Sequence, residues 1–309
     1  MKVFDLHCDA LLKLYNGHAV DFTSDEALDV TKTNLSDGHV ALQVFAIFVD
    51  PYIPSDEKYR TALQQIDYFH SEVVGKHETI KKITKWKDIK SLAPTEIGAM
   101  LSLEGADAFG NDLMKLRTFY ELGVKSIGLT WNNANLCADG CGEPRGAGLT
   151  QLGAEVVKLN NQNKVWTDLS HLSIRSFWDT VALADYPIAT HSNSYTVYPH
   201  RRNLNDKQAE EIFRKNGLIG MVFNPPFVRS NDSVQMTDLI RHIDHFCSIG
   251  GVDHLAFGSD FDGISTYIHG LEHAGKYQAF INELLNYFTE KEVRGFAYQN
   301  MLNHLPEDK

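Results

Sequence analysis

His7 and Asp9, in the segment DLHCD near the start of the chain, are the first residues whose types and spacing could do chemistry. Side chains two residues apart on an extended strand point to the same face. An imidazole and a carboxylate on one face form half of a site for a divalent metal ion. The pair alone is weak evidence, because such short motifs also arise by chance or from a capping aspartate.

Four more candidates each follow a short apolar run: Glu104 in MLSLE, His171 in DLSH, His191 in PIATH and Asp260 in FGSD. A carboxylate at the end of a buried strand is costly unless it is paired or bound to a metal. Each residue alone is more often structural than functional. Together with HxD, however, they put a metal-binding or acid–base group after five separate runs, which independent accidents explain poorly.

The set has the composition of a two-metal site. One ion would be held by His7 and Asp9 and the other by His171 and His191. Glu104 would bridge them with one oxygen on each. Two ions about 3.5–4 Å apart would share a water and lower its pKa toward neutrality, which produces a hydroxide nucleophile.

Asp260 is not needed as a ligand in this arrangement. A carboxylate next to an activated water is suited to act as the general base. It could then return the proton, as the general acid, to a leaving amine. We therefore expect Asp260 to be the catalytic residue.

A second cluster follows His191, where the segment YPHRRN contains Arg201 and Arg202. An arginine fork can bind a carboxylate through two hydrogen bonds. In a chain with 29 Lys and Arg against 40 Asp and Glu, an arginine pair near the site suggests a substrate carboxylate. The alternative is a solvated surface pair or a salt bridge to the following helix.

These residues need elements that bring them together, and the chain alternates β-rich runs with amphipathic helical stretches. Eight such runs are predicted as strands: Lys2–His7, Val40–Phe48, Ile97–Leu103, Val124–Thr130, Val165–Leu169, Tyr186–Thr190, Leu218–Phe223 and His254–Gly258. The later runs are nearly continuous in apolar residues, as is typical of parallel strands buried on both faces. The pattern predicts an α/β fold, a (β/α)8 TIM barrel, whose active site lies at the carboxyl ends of the strands.

An open doubly wound sheet is the second possibility. It is disfavoured because no GxGxxG or GxxxxGK[ST] loop follows the first strand. Barrels of this class often span about 250 residues as one domain. We therefore predict a single barrel domain over residues 1–309, with an insertion around 79–96 where the alternation is broken.

The net charge of −11 argues against nucleic-acid binding, which requires a basic surface. No run of about 18 apolar residues predicts a membrane-spanning helix. The first residues do not resemble a secretory signal, and no apolar tail for a lipid anchor follows. Four cysteines are too few for a disulfide scaffold, so we expect a cytoplasmic protein without nucleic-acid or membrane partners.

Taken in order, these motifs resemble the membrane dipeptidase (renal dipeptidase) family of zinc peptidases, peptidase family M19. The resemblance covers most of the chain and rests on six segments: HxD at 7–9, SLEG at 102–105, LTWNNAN at 129–135, DLSH at 168–171, THSNSYTVYPHRRN at 190–203 and GSDFDG at 258–263. It implies a barrel of the metal-dependent hydrolase (amidohydrolase) type with two zinc ions. Manganese or cobalt would also suit a carboxylate-rich site.

The resemblance also implies residue roles. His7, Asp9, His171 and His191 would be terminal ligands and Glu104 the bridge, in agreement with the residue types. Asp260 would shuttle the proton. Arg202, rather than Arg201, would bind the terminal carboxylate of a small dipeptide substrate, with L-D dipeptides among the candidates. A bacterial, cytoplasmic member and a homodimer are further expectations.

Trp131 departs from the family pattern. Some members have LTH where this chain has LTW, and that histidine contacts the scissile carbonyl. Tryptophan can donate only through its indole N–H. Oxyanion stabilisation would then fall to the metals or to Asn132, Asn133 or Asn135, and we predict Trp131 and Asn132 as substrate contacts.

Two other functions compete with the dipeptidase. Another binuclear hydrolase of the same scaffold would act on a cyclic amide, lactone or phosphoester, but many of these use HxH on the first strand and a modified lysine after the fourth. A barrel that only binds ligands should lack one of the six candidate residues. This chain has HxD, ends its fourth strand in Thr130-Trp131 and fills all six positions, so both are disfavoured.

Overall fold

Nine parallel strands form one sheet, and eight of them close into a barrel. In the computed structural model, which describes residues 1–24, 26–230 and 233–308, the strands are β1 (Val3–Cys8), β2 (Val40–Phe48), β3 (Ile80–Lys82), β4 (Ile97–Glu104), β5 (Val124–Gly128), β6 (Trp166–Asp168), β7 (Pro187–Ala189), β8 (Leu218–Met221) and β9 (Leu255–Phe257). Pairing runs β1–β2–β4–β5–β6–β7–β8–β9, and β9 returns to β1. The predicted (β/α)8 TIM barrel is confirmed.

The extra strand, β3, lies outside the closed ring. Ile80 pairs with Ile97 at the start of β4, whereas β5 pairs with β4 only from Leu101 onward. The segment expected as an insertion thus provides a short edge strand and the helix Trp86–Lys90. Trp86 is buried, and its ring lies 4.5 Å from that of Trp166 in β6. This segment therefore packs beneath the amino-terminal end of the barrel.

At least one helix lies between each pair of consecutive strands. They are α1 (Ala10–Tyr15), α2 (Lys32–Asp37), α3 (Lys58–Tyr68), α4 (Trp86–Lys90), α5 (Leu113–Glu121), α6 (Gln151–Asn163), α7 (Ile174–Leu183), α8 (Asp206–Arg214), α9 (Pro225–Val228), α10 (Met236–Ser248), α11 (Tyr277–Leu284), α12 (Glu290–Arg294) and α13 (Asn300–Asn303). Across the described ranges, no helix combines the length and apolar character needed to cross a membrane.

Local sequence explains several helix starts. Asn205 before α8 and Thr289 before α12 each accept a bond from the backbone three residues on, and the side chains of Gln208 and Glu292 bond back. These capping boxes satisfy backbone N–H groups that a helix start otherwise leaves unpaired. The helix α3 continues directly into a π-helical turn, Phe69–Val74.

The barrel interior is packed with apolar side chains at its amino-terminal end. One buried cluster draws residues from seven of the eight barrel strands: Phe4, Leu6, Leu42, Val44, Met100, Trp166, Ile188, Leu218 and Ala256. A larger cluster fills the layer between strands and helices. Because apolar side chains fill the amino-terminal half of the barrel interior, polar side chains can gather only at its carboxyl-terminal end.

His242 of α10 ties together two loops at the carboxyl-terminal end of the barrel. Its Nδ1 accepts a bond from Ser194 N at 3.1 Å, and its Nε2 donates to Val228 O at 3.0 Å. The bond to Nδ1 requires the neutral ring, because this nitrogen can accept only when it carries no proton. Burial of the fully enclosed imidazole lowers its pKa to about 4. In mildly acidic solution His242 therefore stays neutral in the native state, whereas the same side chain is protonated in the unfolded chain.

We predict that His242 makes stability sensitive to mild acid. Below pH 6.5 the unfolded chain binds a proton that the native state does not, so the free energy of unfolding falls until the pH approaches 4. Between pH 7 and pH 5, the wild type should lose about 2 kcal/mol more than His242→Gln. Urea denaturation in chelator measures this, with exposed His18→Gln as the matched control. Equal losses in wild type and His242→Gln would contradict it.

Candidate metal centre

The six predicted metal and acid–base residues meet at the carboxyl end of the barrel. His7 is in β1 and Glu104 ends β4, whereas His171, His191 and Asp260 follow β6, β7 and β9. Asp9 lies just beyond β1, with φ −107° and ψ 23°, and begins α1. Strand alternation is therefore not what brings Asp9 to His7, but His7 Nε2 and Asp9 Oδ2 are still 3.4 Å apart.

Glu104 lies at the centre of the group and divides its two oxygens between separate partners. Oε1 is 2.8 Å from His171 Nε2 and 3.5 Å from His191 Nε2. Oε2 is 3.7 Å from His7 Nε2. The Glu104 side chain is only 8% exposed. A carboxylate that bridges two cations would direct one oxygen toward each cation and the residues that hold it.

The imidazoles of His171 and His191 both turn their Nε2 atoms toward the centre. Thr190 Oγ1 donates to Asp168, so it must accept from His191 Nδ1, 2.8 Å away. His171 Nδ1 lies 2.9 Å from the side-chain oxygen of Asn132 and donates to it. These contacts place the protons on Nδ1 and leave a lone pair on each Nε2.

This tautomer assignment creates a cluster of acceptors with no donor. The two Nε2 atoms are 2.8 Å apart, and both lie near Glu104 Oε1. Burial, followed by the nearby positive charges, lowers the pKa of each ring well below its usual value, so a proton cannot relieve the repulsion. A metal cation would, because it accepts electron pairs from nitrogen and oxygen together.

His7 supplies a second such position. Its Nε2 is buried and has no hydrogen-bond partner, although Asp9, Glu104 and Asp260 each place an oxygen within 3.8 Å. Burial lowers the pKa of His7, but the carboxylates outweigh it and raise the pKa to about 10. The three carboxylates thus favour a positive charge at the position of His7 Nε2. The donor set of both halves fits a divalent metal ion.

Asp260 lies beside this group in a left-handed backbone conformation, with φ 66°. His171 has the same conformation, with φ 67°. Residues other than glycine rarely adopt it, and where they do the surroundings must compensate for the strain. Burial, with Asp9 and Glu104 nearby, raises the pKa of Asp260 to about 8 against the effects of His7 and Arg202.

The strained Asp260 turn is held by a reciprocal contact that sequence reasoning missed. Asp262 accepts from the backbone N of Asp29 and Val30 at 2.8 and 3.0 Å, and its own N donates to Asp29 Oδ2 at 2.8 Å. Lys13 Nζ lies 3.0 Å from Asp262, and the Tyr267 hydroxyl donates to Asp29. The second aspartate of GSDFDG was the available signal.

The two arginines have different environments. Arg201 is exposed, whereas Arg202 is 5% exposed and lines the cavity that holds Asp9, Glu104 and Asp260. Arg202 Nη2 donates to His191 O at 3.1 Å, and its guanidinium lies 5.5 Å from the Phe227 ring centroid. Its buried Nε has no protein partner. Arg202 therefore keeps donor capacity next to the candidate metal ligands.

Trp131 and Asn132 also reach this cavity, which has a volume of about 180 Å³. The Trp131 ring centroid lies 5.4 Å from that of Phe48 and 6.1 Å from that of His171. The side-chain oxygen of Asn132 accepts a hydrogen bond from His171 Nδ1. This contact orients the imidazole and was not predicted from the sequence. Asn135 is directed elsewhere, donating to Asp107 and to Leu129 O.

Comparisons with known proteins agree with this geometry. Residues 1–308 match the membrane dipeptidase family, peptidase family M19. The structure of dipeptidase AC, an M19 metallopeptidase, superposes with a TM-score of 0.92 and 28% identity, covering 99% of this chain and 98% of that one. A metallopeptidase from Rhodobacter sphaeroides, solved with a phosphinate mimic of the dipeptide L-Ala-D-Ala, gives 0.92 and 26% over the same shares.

A relative of unassigned function extends the comparison. An uncharacterized protein from the pqqA 5′ region of Klebsiella pneumoniae is 39% identical over 190 residues, or 58% of this chain and 70% of that protein. The family match spans nearly the whole chain, and the predicted ligands converge in the structure. The chain therefore belongs to the membrane dipeptidase family, peptidase family M19, and is a metallo-dipeptidase.

Proposed function

We propose that the enzyme is a binuclear zinc dipeptidase that cleaves small dipeptides with a free C-terminal carboxylate, L-D dipeptides among them. The observation that carries the proposal is the division of Glu104, with one oxygen toward His7 and the other toward His171 and His191. A single-metal site has no need of a carboxylate divided in this way. A cytoplasmic location and a homodimer remain predictions.

His7 and Asp9 would hold one ion, His171 and His191 the other, and Glu104 both. Nitrogen and oxygen ligands suit zinc, although manganese or cobalt would accept the same set. The bound ions would polarise the scissile carbonyl and lower the pKa of the attacking water. Thr190 and Asn132 keep the two imidazoles in the tautomer that this requires.

Asp260 would move the proton. Its Oδ1 lies 3.8 Å from His7 Nε2, at the edge of the ligand group, so it can face the attacking water without being a required ligand. A carboxylate at this position can take up a proton from the attacking water and release it again. Asp260 would return the proton to the leaving amine.

Arg202 would bind the terminal carboxylate of the substrate. It is buried, it retains an unpaired Nε, and the same cavity contains Asp260 and Trp131. The L-Ala-D-Ala mimic bound to the Rhodobacter sphaeroides relative supports a dipeptide with a D-residue as one substrate. Trp131 and Asn132 would contact the peptide unit between this carboxylate and the metal ligands.

Turnover of L-L and L-D dipeptides by zinc-loaded protein tests the function. We expect hydrolysis by the wild type, and a loss of at least about 1,000-fold in kcat for Asp260→Asn, because the amide cannot accept the proton. Metal analysis of the variant should still find two ions. Two bound metals without hydrolysis of any dipeptide would overturn the substrate assignment and favour another amide, lactone or ester.

Arg202→Ala should act on binding of the carboxylate. We expect kcat/KM for free dipeptides to fall by about 10- to 100-fold, the usual effect of losing a hydrogen bond to a charged group. Hydrolysis of the same dipeptides as C-terminal amides should change little. The neighbouring Arg201→Ala is the matched control and should resemble the wild type. Equal losses on acid and amide would refute the role of Arg202.

Metal removal should reveal the binuclear site directly. Zinc titration of chelated protein should reach two equivalents per chain and raise the unfolding temperature, because ions that bind only the native state stabilise it. In Glu104→Gln the bridging charge is lost, and binding of both ions should weaken. A wild type that saturates with one ion would contradict the two-metal proposal.

A further inference from the structure

A second and larger cavity adjoins the metal centre. It has a volume of about 660 Å³, compared with about 180 Å³ for the cavity that contains Asp9 and Asp260. His171 and Arg202 line both cavities, so the two adjoin at these side chains. Ligand pockets are usually about 300–1,000 Å³. The smaller space can hold a reacting peptide unit, but a bulky substrate needs more room.

The larger cavity, here called the Arg202 chamber, has an apolar wall. Leu172, Phe177 and Leu204 line it and are buried at 7%, 1% and 5% exposure. Burying a hydrocarbon side chain against such a wall is favourable by about 25 cal/mol per Å² of apolar surface removed from water. This wall therefore suits an apolar group, although polar side chains, among them Glu143, Asn205 and Gln208, also line the chamber.

Two buried polar groups on the chamber have no protein partner. Ser192 Oγ and Arg202 Nε are both buried and both unpaired, and both residues line the chamber. Buried donors without partners are uncommon in native proteins and often mark a place where a ligand or water bonds. The unpaired groups lie on residues adjacent to, or in contact with, the metal ligand His191.

We infer that the Arg202 chamber receives the side chain of the dipeptide's C-terminal residue, which makes dipeptides with a large apolar C-terminal residue the preferred substrate class. The inference rests on the proposed function, in which Arg202 binds the terminal carboxylate. That contact puts the C-terminal Cα beside the guanidinium, where the two cavities adjoin. The side chain then turns into the larger space, since the smaller one is filled by the peptide unit.

The outer end of the chamber is open. Ile174, at the start of α7, and Tyr195 both line it and are 65% and 46% exposed. A side chain longer than the chamber can therefore extend past them into solvent. The enzyme should therefore select C-terminal side chains for their apolar character near Arg202, rather than reject those above a certain length.

The experiment compares kcat/KM for Ala-Gly, Ala-Leu, Ala-Phe and Phe-Ala with zinc-loaded enzyme. We expect the wild type to prefer Ala-Leu and Ala-Phe over Ala-Gly by at least about 10-fold, since each buried methylene adds to transition-state binding. Ile174→Trp fills the chamber from its exposed rim. It should lower kcat/KM for Ala-Phe by about 10-fold and leave Ala-Gly within about twofold.

Leu183→Trp, at the other end of α7 and outside the chamber, is the matched control and should resemble the wild type on all four substrates. Leu172→Ala removes part of the apolar wall and should lower the ratio of Ala-Phe to Ala-Gly hydrolysis, because less apolar surface is buried.

Three results would overturn the assignment: no preference for a bulky C-terminal residue, equal losses on Ala-Gly and Ala-Phe in Ile174→Trp, or a loss confined to Phe-Ala. A wild type that cleaves Ala-Gly but shows any of these refutes only the chamber. A wild type that cleaves neither these four nor the L-D dipeptides of the function test refutes the proposed function and the chamber with it.

Discussion

The buried Glu104 carboxylate is the group on which the site depends. An ionised carboxylate removed from water is costly unless charges or donors compensate it. Here its neighbours are three imidazoles, and two of them offer lone pairs rather than protons. The polar end of the barrel is therefore electrostatically incomplete with protein atoms alone, and a cation completes it. A site of this kind couples metal binding to the stability of the whole barrel.

The surroundings of the site hold its residues in conformations that they would not adopt alone. His171 and Asp260 both have left-handed backbones. The Asp29–Asp262 contact holds the turn of Asp260, and Asn132 holds the ring of His171. Because these supports come from distant parts of the chain, the candidate ligands converge only in the closed barrel. Strain at functional residues is then offset by packing elsewhere.

Much of this could be predicted, because each strand signal is local. Apolar runs identified all eight barrel strands, although β6, β7 and β9 are only three residues long and end before the predicted bounds. Polar residues at the ends of five of these runs were chosen as candidates, since strand ends gather at one face of a barrel, and the structure brings them together there. Their metal-binding and catalytic roles stay predictions. The supporting contacts were missed: Thr190 and Asp168 behind His191, and Asp29 behind Asp262. A hydrogen bond between residues far apart in the chain leaves no periodic signal.

The chain by itself determined the alternation of strands and helices, the polar residues at the strand ends and the family to which they belong, because residue type and spacing are local properties. Tertiary structure alone decided which Glu104 oxygen faces which imidazole, which nitrogen of each ring is free, and that Arg202 is buried while Arg201 is exposed. It also set the Arg202 chamber beside the metal centre. These features are distances between side chains from different strands, and only closure of the sheet defines them.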